Sequence, residues 1–342
     1  MRYPEFLKDN GRIGFIAPSF GCATEPYKTC FEAALEKFKE LGYSCVLGPN
    51  CFADAGVGKS NTPEKCGAEI NDFFCSDKSD VIISCGGGET MCEDLPYVEF
   101  EAIAKSPAKW FMGYSDNTNL TFTLPTLCDT AAVYGINAAT FGQNPWHESI
   151  SDALNLLRGE QLQVHNYEAW ESEEPDEDSD PCTPYNVTEP FSMYLSGDSD
   201  GQIAMSGRLL GGCLDVLQVL CGTEYDKVRE FNERYKGDGV IWFLEACELR
   251  PLQICRALWQ LDSAGWFANA KGFMFGRPYV YGADDMGLDN RGAVERVLGK
   301  YNVPIIYDAD IGHLPPMMPI ICGAMAEVKA REGSLIIDQI LK

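Results

Sequence analysis

Histidine is the scarcest chemically versatile residue here, with three in 342 residues. Positive charge is short as well: 27 Lys+Arg face 51 Asp+Glu, for a net charge of −24. Nucleic acid and anionic membrane surfaces both demand a basic face, so this acidity excludes them as partners. No run approaches the ~18 apolar residues of a membrane span. The opening MRYPEFLKDNGRIGFIAPSFG has charges within and around its short apolar run and no signal-peptide core. A cytoplasmic protein is therefore expected. Cysteine is abundant, at 15, but the count is odd and no two are spaced C-x-x-C. That pattern favours buried reduced thiols over disulfides, and no metal is expected. Neither G-x-x-x-x-G-K-[ST] nor a G-x-G-x-x-G opening a helix after the first strand occurs, so no nucleotide cofactor is expected.

What is present is ample apolar material: 45% hydrophobic residues, including 18 Phe and 15 Tyr. Most of the chain can therefore bury a core, and at about 150 residues per domain it holds two domains. Apolar runs at 11–18, 43–47, 81–85, 109–113 and 131–135 read as strands. Helical spacing separates them, clearest in Phe31, Ala34, Leu35 and Phe38, which recur at i, i+3, i+4 and i+7 before Gly42. Strands alternating with helices predict an α/β fold with a doubly wound parallel sheet, assigned to residues 1–165. Residues 166–200 are acidic, Pro-containing and aperiodic, and read as a linker or long surface loop with much mobility. Beyond them a smaller α/β domain is expected over 201–342. It has a helix at 214–220, a strong strand at 239–244, a helix at 251–261 and further strands at 272–275, 305–307 and 327–330.

Four segments bear chemistry. Gly113-Tyr114-Ser115-Asp116-Asn117 leads from a strand into a helix, where a serine hydroxyl points away from the sheet and the next N–H suits an oxyanion. Asn117 stands where G-x-S-x-G wants glycine, and Ser115 as a simple helix N-cap is the competing reading. Cys85-Gly86-Gly87-Gly88-Glu89 follows a strand, and its amides suit either an anion pocket or a structural turn. Glu245 ends the strand 240–244 at the carboxyl edge, where parallel sheets place functional groups, and Glu248 follows three residues later. A solvated helix-capping carboxylate is the alternative. A serine nucleophile needs a base, and of His147, His165 and His313 the last lies in a tight Gly/Pro-bounded loop, Asp310 to Pro316, with an incidental loop histidine as the competing reading.

Taken in order, Ala17-Pro18-Ser19, Gly86-Gly87-Gly88, Gly113-Tyr114-Ser115-Asp116, Gly207-Arg208-Leu209-Leu210-Gly211-Gly212, Phe243-Leu244-Glu245 and Ile311-Gly312-His313 form a pattern. It resembles the LD-carboxypeptidase family of serine peptidases, which includes the microcin C self-immunity peptidases, over about residues 10–340. The resemblance implies a Rossmann-like N-terminal domain, a smaller C-terminal domain and a homodimer. It also implies a triad of Ser115 as nucleophile, His313 as base and Glu245 orienting the base, with Glu248 a minor alternative for the third place. Oxyanion donors map to the amides of Gly87, Gly88 and Asp116. Two departures stand out: family members often carry Asn at the position of Cys213, and Gly-Pro-Met or similar near Thr140-Phe141-Gly142. The implied substrates are murein tetrapeptides, as in peptidoglycan recycling, or aminoacyl-sulfamoyl- or phospho-adenosines. The chain's length and the 166–199 insertion with Trp170 favour the longer microcin-type branch, but not decisively. An exopeptidase must grip its substrate's free carboxylate, for which Arg208 and Arg250 are the candidate cations. A non-catalytic ligand-binding protein on the same two-domain scaffold is the alternative function.

Overall fold

In the computed structural model, residues 1–173, 180–197 and 200–342 are described. The chain divides into two compact units, one of Met1–Gln161 with Glu173–Asn186 and one of Leu162–Ser172 with Val187–Lys342.

The first unit is built on parallel strands in the order Ala132–Tyr134, Trp110–Gly113, Val81–Ser84, Arg12–Ile16, Ser44–Leu47. From Arg12–Ile16 the chain moves outward one way to Ser44–Leu47 and then returns to the other side. The order therefore reverses between Arg12–Ile16 and Val81–Ser84, and ligands of open α/β sheets bind outside the carboxyl ends of strands at such a reversal. The helix Tyr27–Glu40 buries Phe31, Ala34, Leu35 and Phe38, the stripe its spacing predicts. Lys37 and Lys39 in its last turn complement the helix dipole. Thr62 and Pro63 open the helix Pro63–Cys75, where a proline in the first turn loses no intrahelical bond. Its Ile70, Phe73 and Phe74 pack with Ile16, Ile82, Phe111 and Leu120 in one core cluster. Between Val81–Ser84 and Trp110–Gly113 the helical connection is broken into a 3-10 segment, Met91–Tyr97, and the short helix Phe100–Lys105. Pro96 lacks an N–H and its ring cannot sit in a continuous α-helix there.

The second unit carries a mixed sheet. Its centre is parallel, with Gln202–Cys213, Val240–Glu245, Ala270–Gly276 and Ile305–Ala309 side by side. Met325–Arg331, Ser334–Ile340 and Gln163–His165 extend one side antiparallel, and Tyr194–Ser196 pairs antiparallel with Ile305–Ala309 at the other. The stretch 166–200, expected as aperiodic, holds Tyr194–Ser196 and the pair Ala169–Trp170 with Glu189–Pro190. Strands of two or three residues are too short to display a period of two. The acidic run 174–179 and residues 198–199 lie outside the described residues. Among the described residues no helix is long and apolar enough to cross a membrane, and no cluster of His, Cys, Asp or Glu is arranged to hold a metal.

Candidate active site

Three neighbouring strands of the first unit deliver three loops at their carboxyl ends: Ala17–Ser19 after Arg12–Ile16, Gly86–Gly88 after Val81–Ser84, and Tyr114–Asn117 after Trp110–Gly113. Ser115 sits at φ +62, a left-handed conformation that costs a non-glycine residue of order 1–3 kcal/mol. It opens a 3-10 turn, Ser115–Asn117, and the helix Thr118–Cys128 begins only after Asn117. Ser115 is therefore not that helix's N-cap, which removes the structural alternative. The Ser115 N–H donates to Tyr134 Oη at 3.4 Å. Gly113 must be small, because a Cβ there would lie 2.8 Å from Asn117 Cβ.

Asn117, the residue that spoils G-x-S-x-G, has work of its own. Its Nδ2 donates to Gly86 O at 2.8 Å, Tyr114 O at 3.1 Å and Asn137 Oδ1 at 3.2 Å, tying the serine turn to the glycine loop. Asn137 Oδ1 also accepts the Tyr114 N–H at 3.3 Å. A Cβ on Gly87 would lie 3.2 Å from Ser115 Oγ, so the loop packs directly against the serine. Gly88 takes φ +142. Asp116, 2% exposed, has its carboxyl pushed up by burial against the pull of hydrogen bonds from Ser19 and Met91. Neither Asn117, Asn137 nor Ser19 was marked as a site residue by the sequence, since each acts through contacts distant in the chain.

The second unit brings His313 and Glu245 together. His313 Nδ1 lies 2.9 Å from Glu245 Oε2, and Glu245 is fully buried at the end of Val240–Glu245. With Nδ1–H given to the carboxylate, Nε2 is left with the lone pair that a general base uses. The pair is held by glycine. Gly312 takes φ +110, and a Cβ there would come 2.7 Å from Glu245 Oε2, while one on Gly276 would strike Ile311 O. The loop is pinned by the buried Arg277–Asp310 ion pair, and Asp310 Oδ2 also accepts the Tyr167 N–H at 2.8 Å. Cys213 lies opposite Glu245 in the sheet register, and burial, with Glu245 beside it, pushes its thiol up. Gly312→Ala should lower kcat by about 10-fold or more, because small displacements of a catalytic group are costly. An unchanged kcat in steady-state assays would show that the pair tolerates the displacement.

The remaining candidates lie elsewhere. Glu248 is exposed, and its backbone N–H and that of Cys247 are held by Asp215 at 3.0 Å, so it has no place beside His313. His147 caps the helix Glu148–Leu157, accepting Ser149 N–H at Nδ1, and burial lowers its pKa. His165 ends a strand, with Nδ1 2.8 Å from Asn166 O. Arg208, 5% exposed, binds Asp238 at 2.7 Å, Gly323 O at 2.8 Å and Lys342 O at 3.1 Å, and stacks on Tyr235. Arg250 holds Asp285 at 2.9 Å and Asp284 O at 3.3 Å. The expected carboxylate-reading role of these arginines thus meets side chains already engaged as internal ties. Arg208→Ala should cost about 2–3 kcal/mol of stability, the scale of a charged hydrogen bond, and leave KM unchanged. Chemical denaturation beside steady-state kinetics checks both halves.

The chain matches known proteins over most of its length. Residues 13–135 match the family model of the LD-carboxypeptidase N-terminal domain, and residues 206–328 that of the LD-carboxypeptidase C-terminal domain. A probable murein peptide carboxypeptidase of Bacillus subtilis is 25% identical, covering 98% of this chain and 94% of that one. The microcin C7 self-immunity protein MccF of Escherichia coli is 24% identical, covering 91% of this chain and 88% of its own. Among solved structures, an MccF-like protein from Bacillus anthracis aligns with a TM-score of 0.79 at 21% identity, over 99% of this chain and 100% of that one. MccF in complex with aspartyl sulfamoyl adenosine aligns at 0.80 and 20% identity, over 99% and 98%.

Proposed function

Because the chain belongs to the LD-carboxypeptidase family of serine peptidases, we propose that it hydrolyses an amide bond through Ser115, His313 and Glu245. Membership of a peptidase family sets aside the reading of a non-catalytic ligand-binding protein. His313 Nε2 takes the proton of Ser115 Oγ as the hydroxyl attacks the scissile carbonyl, and then returns it to the leaving amine. An acyl-enzyme remains, and water released by the same base hydrolyses it. Glu245 keeps the Nδ1 proton in place and stabilises the imidazolium that forms. The amides of Gly87, Gly88 and Asp116 receive the carbonyl oxygen as it gains charge. The observation that carries the reading is the hydrogen bond between His313 Nδ1 and the fully buried Glu245 in the second unit, the arrangement in which a carboxylate orients a general base.

A histidine base must be neutral. Activity of the folded enzyme should therefore fall on the acid side as the imidazole takes up a proton, and a profile with no acid limb above the pH of unfolding would contradict the mechanism.

We assign the substrate to small amides that carry an amino-acid acyl group. The murein peptide carboxypeptidase among the relatives favours a peptide substrate, and the MccF complexes with aspartyl sulfamoyl adenosine and glutamyl sulfamoyl guanosine favour an aminoacyl-nucleotide. Purified protein assayed on a murein tetrapeptide, Asp- and Glu-sulfamoyl adenosine and simple dipeptides separates the two. Release of terminal D-Ala supports the first and release of the free amino acid the second. No turnover of any of them would contradict the assignment.

A further inference from the structure

Resting on that reading of Ser115, we propose that the side chains of Ser19 and Asp116 form a positioning bond that fixes the oxyanion loop against the nucleophile turn. The Ala17-Pro18-Ser19 segment has no part in the reaction itself, yet it ends the strand at which the sheet order reverses. Ser19 is fully buried, and its Oγ donates to Asp116 Oδ2. The same carboxylate oxygen accepts Met91 N–H at 2.9 Å, while Oδ1 accepts Asn119 Nδ2 at 3.0 Å. One side chain therefore gathers the loop after the first strand, the segment after the glycine loop and the start of the helix behind Ser115.

The glycine loop is held from the other side of Ser19. A Cβ on Gly88 would collide with Ser19 Oγ, so the loop lies in van der Waals contact with that hydroxyl. Next along the chain, Phe20 N–H donates to Gly87 O at 2.8 Å. Ser19 and Phe20 thus clasp Gly87 and Gly88 while Ser19 holds Asp116, the residue whose own amide is the other oxyanion donor. Backbone donors act only when they are aimed at where charge develops, so the spacing of these two groups governs transition-state stabilisation and leaves ground-state binding alone. Both are positioning residues, since neither side chain is assigned to touch the substrate.

The test uses the full chain with wild type, S19A, D116A, D116N and S115A as a control. It measures KM, thermal unfolding and kcat per active site titrated with a fluorophosphonate, on the amide the wild type turns over best. S19A removes one hydroxyl and leaves Asp116 its bonds to Met91 and Asn119, so it should fold with nearly unchanged melting. Its kcat per titrated site should fall about 10–100-fold, the range set by a misaimed or lost oxyanion donor, with KM within about twofold. D116A should lose as much or more. D116N should recover part of the loss. Its oxygen still accepts from Ser19 and Met91, while its Nδ2 reaches Asn119 Oδ1 only if that amide turns and gives up its bond to Asp116 O at 2.9 Å.

A wild-type kcat per titrated site in S19A, or a loss confined to the titratable fraction, would overturn the inference, and so would D116N behaving like D116A. Turnover by S115A would overturn the nucleophile reading beneath it. Silence of S115A beside an undiminished S19A would overturn the positioning role alone.

Discussion

Ser115→Ala is expected to lower kcat by on the order of 10⁴ or more while the fold persists. Alanine meets the same φ +62 that serine tolerates, so the substitution adds no backbone strain that the native turn does not already carry. The Tyr114–Asn117 turn keeps its Asn117 bonds to Gly86 and Asn137, because none of them uses the Ser115 side chain. What is lost is the atom that attacks. Steady-state kinetics beside a thermal melt checks this, and undiminished turnover by a folded S115A would rule out Ser115 as the nucleophile.

Glu245→Gln is expected to reduce kcat by about 10³–10⁴, with KM little changed. The two side chains have nearly the same volume, so the fully buried site keeps its packing. The chemistry changes, because an amide turned to present its NH2 to His313 Nδ1 moves the imidazole proton to Nε2, where the base must be empty. Turned the other way, the amide oxygen accepts the Nδ1 proton but carries no charge to steady the imidazolium. Glu248→Gln is the matched control and should stay near wild type, since Glu248 is exposed and its backbone N–H, not its carboxylate, is what Asp215 binds. Equal losses in the two variants would contradict the assignment of Glu245.

The parallel sheet of the first unit was legible because each strand is a short apolar run closed by turn residues and each helix has one apolar stripe. The strand Gln202–Cys213 was not. Gly207, Gly211 and Gly212 dilute its pattern, and glycine is a poor strand former. The structure explains them by close approach, since a Cβ on Gly207 would sit 3.2 Å from Gly239 O. The candidate site divides the same way. Ser115, Glu245 and His313 each sit in a local context that sequence displays: a strand-to-helix turn, a strand's carboxyl end and a Gly/Pro loop. Arg208 offered no such context, and its engagement with Asp238 and the Lys342 carbonyl depends on partners 30 and 134 residues away. Ser19 was visible only as part of a motif, because its purpose rests on Asp116, 97 residues on.

Peptide mapping by mass spectrometry after treatment with a fluorophosphonate tests the central claim most directly. This reagent phosphonylates a serine only when a neighbouring base has activated its hydroxyl. The mechanism predicts one adduct per chain, on Ser115, and sharply slower labelling in His313→Ala and Glu245→Gln than in Glu248→Gln. An adduct on another residue, or labelling of Ser115 at an undiminished rate without His313, would contradict it.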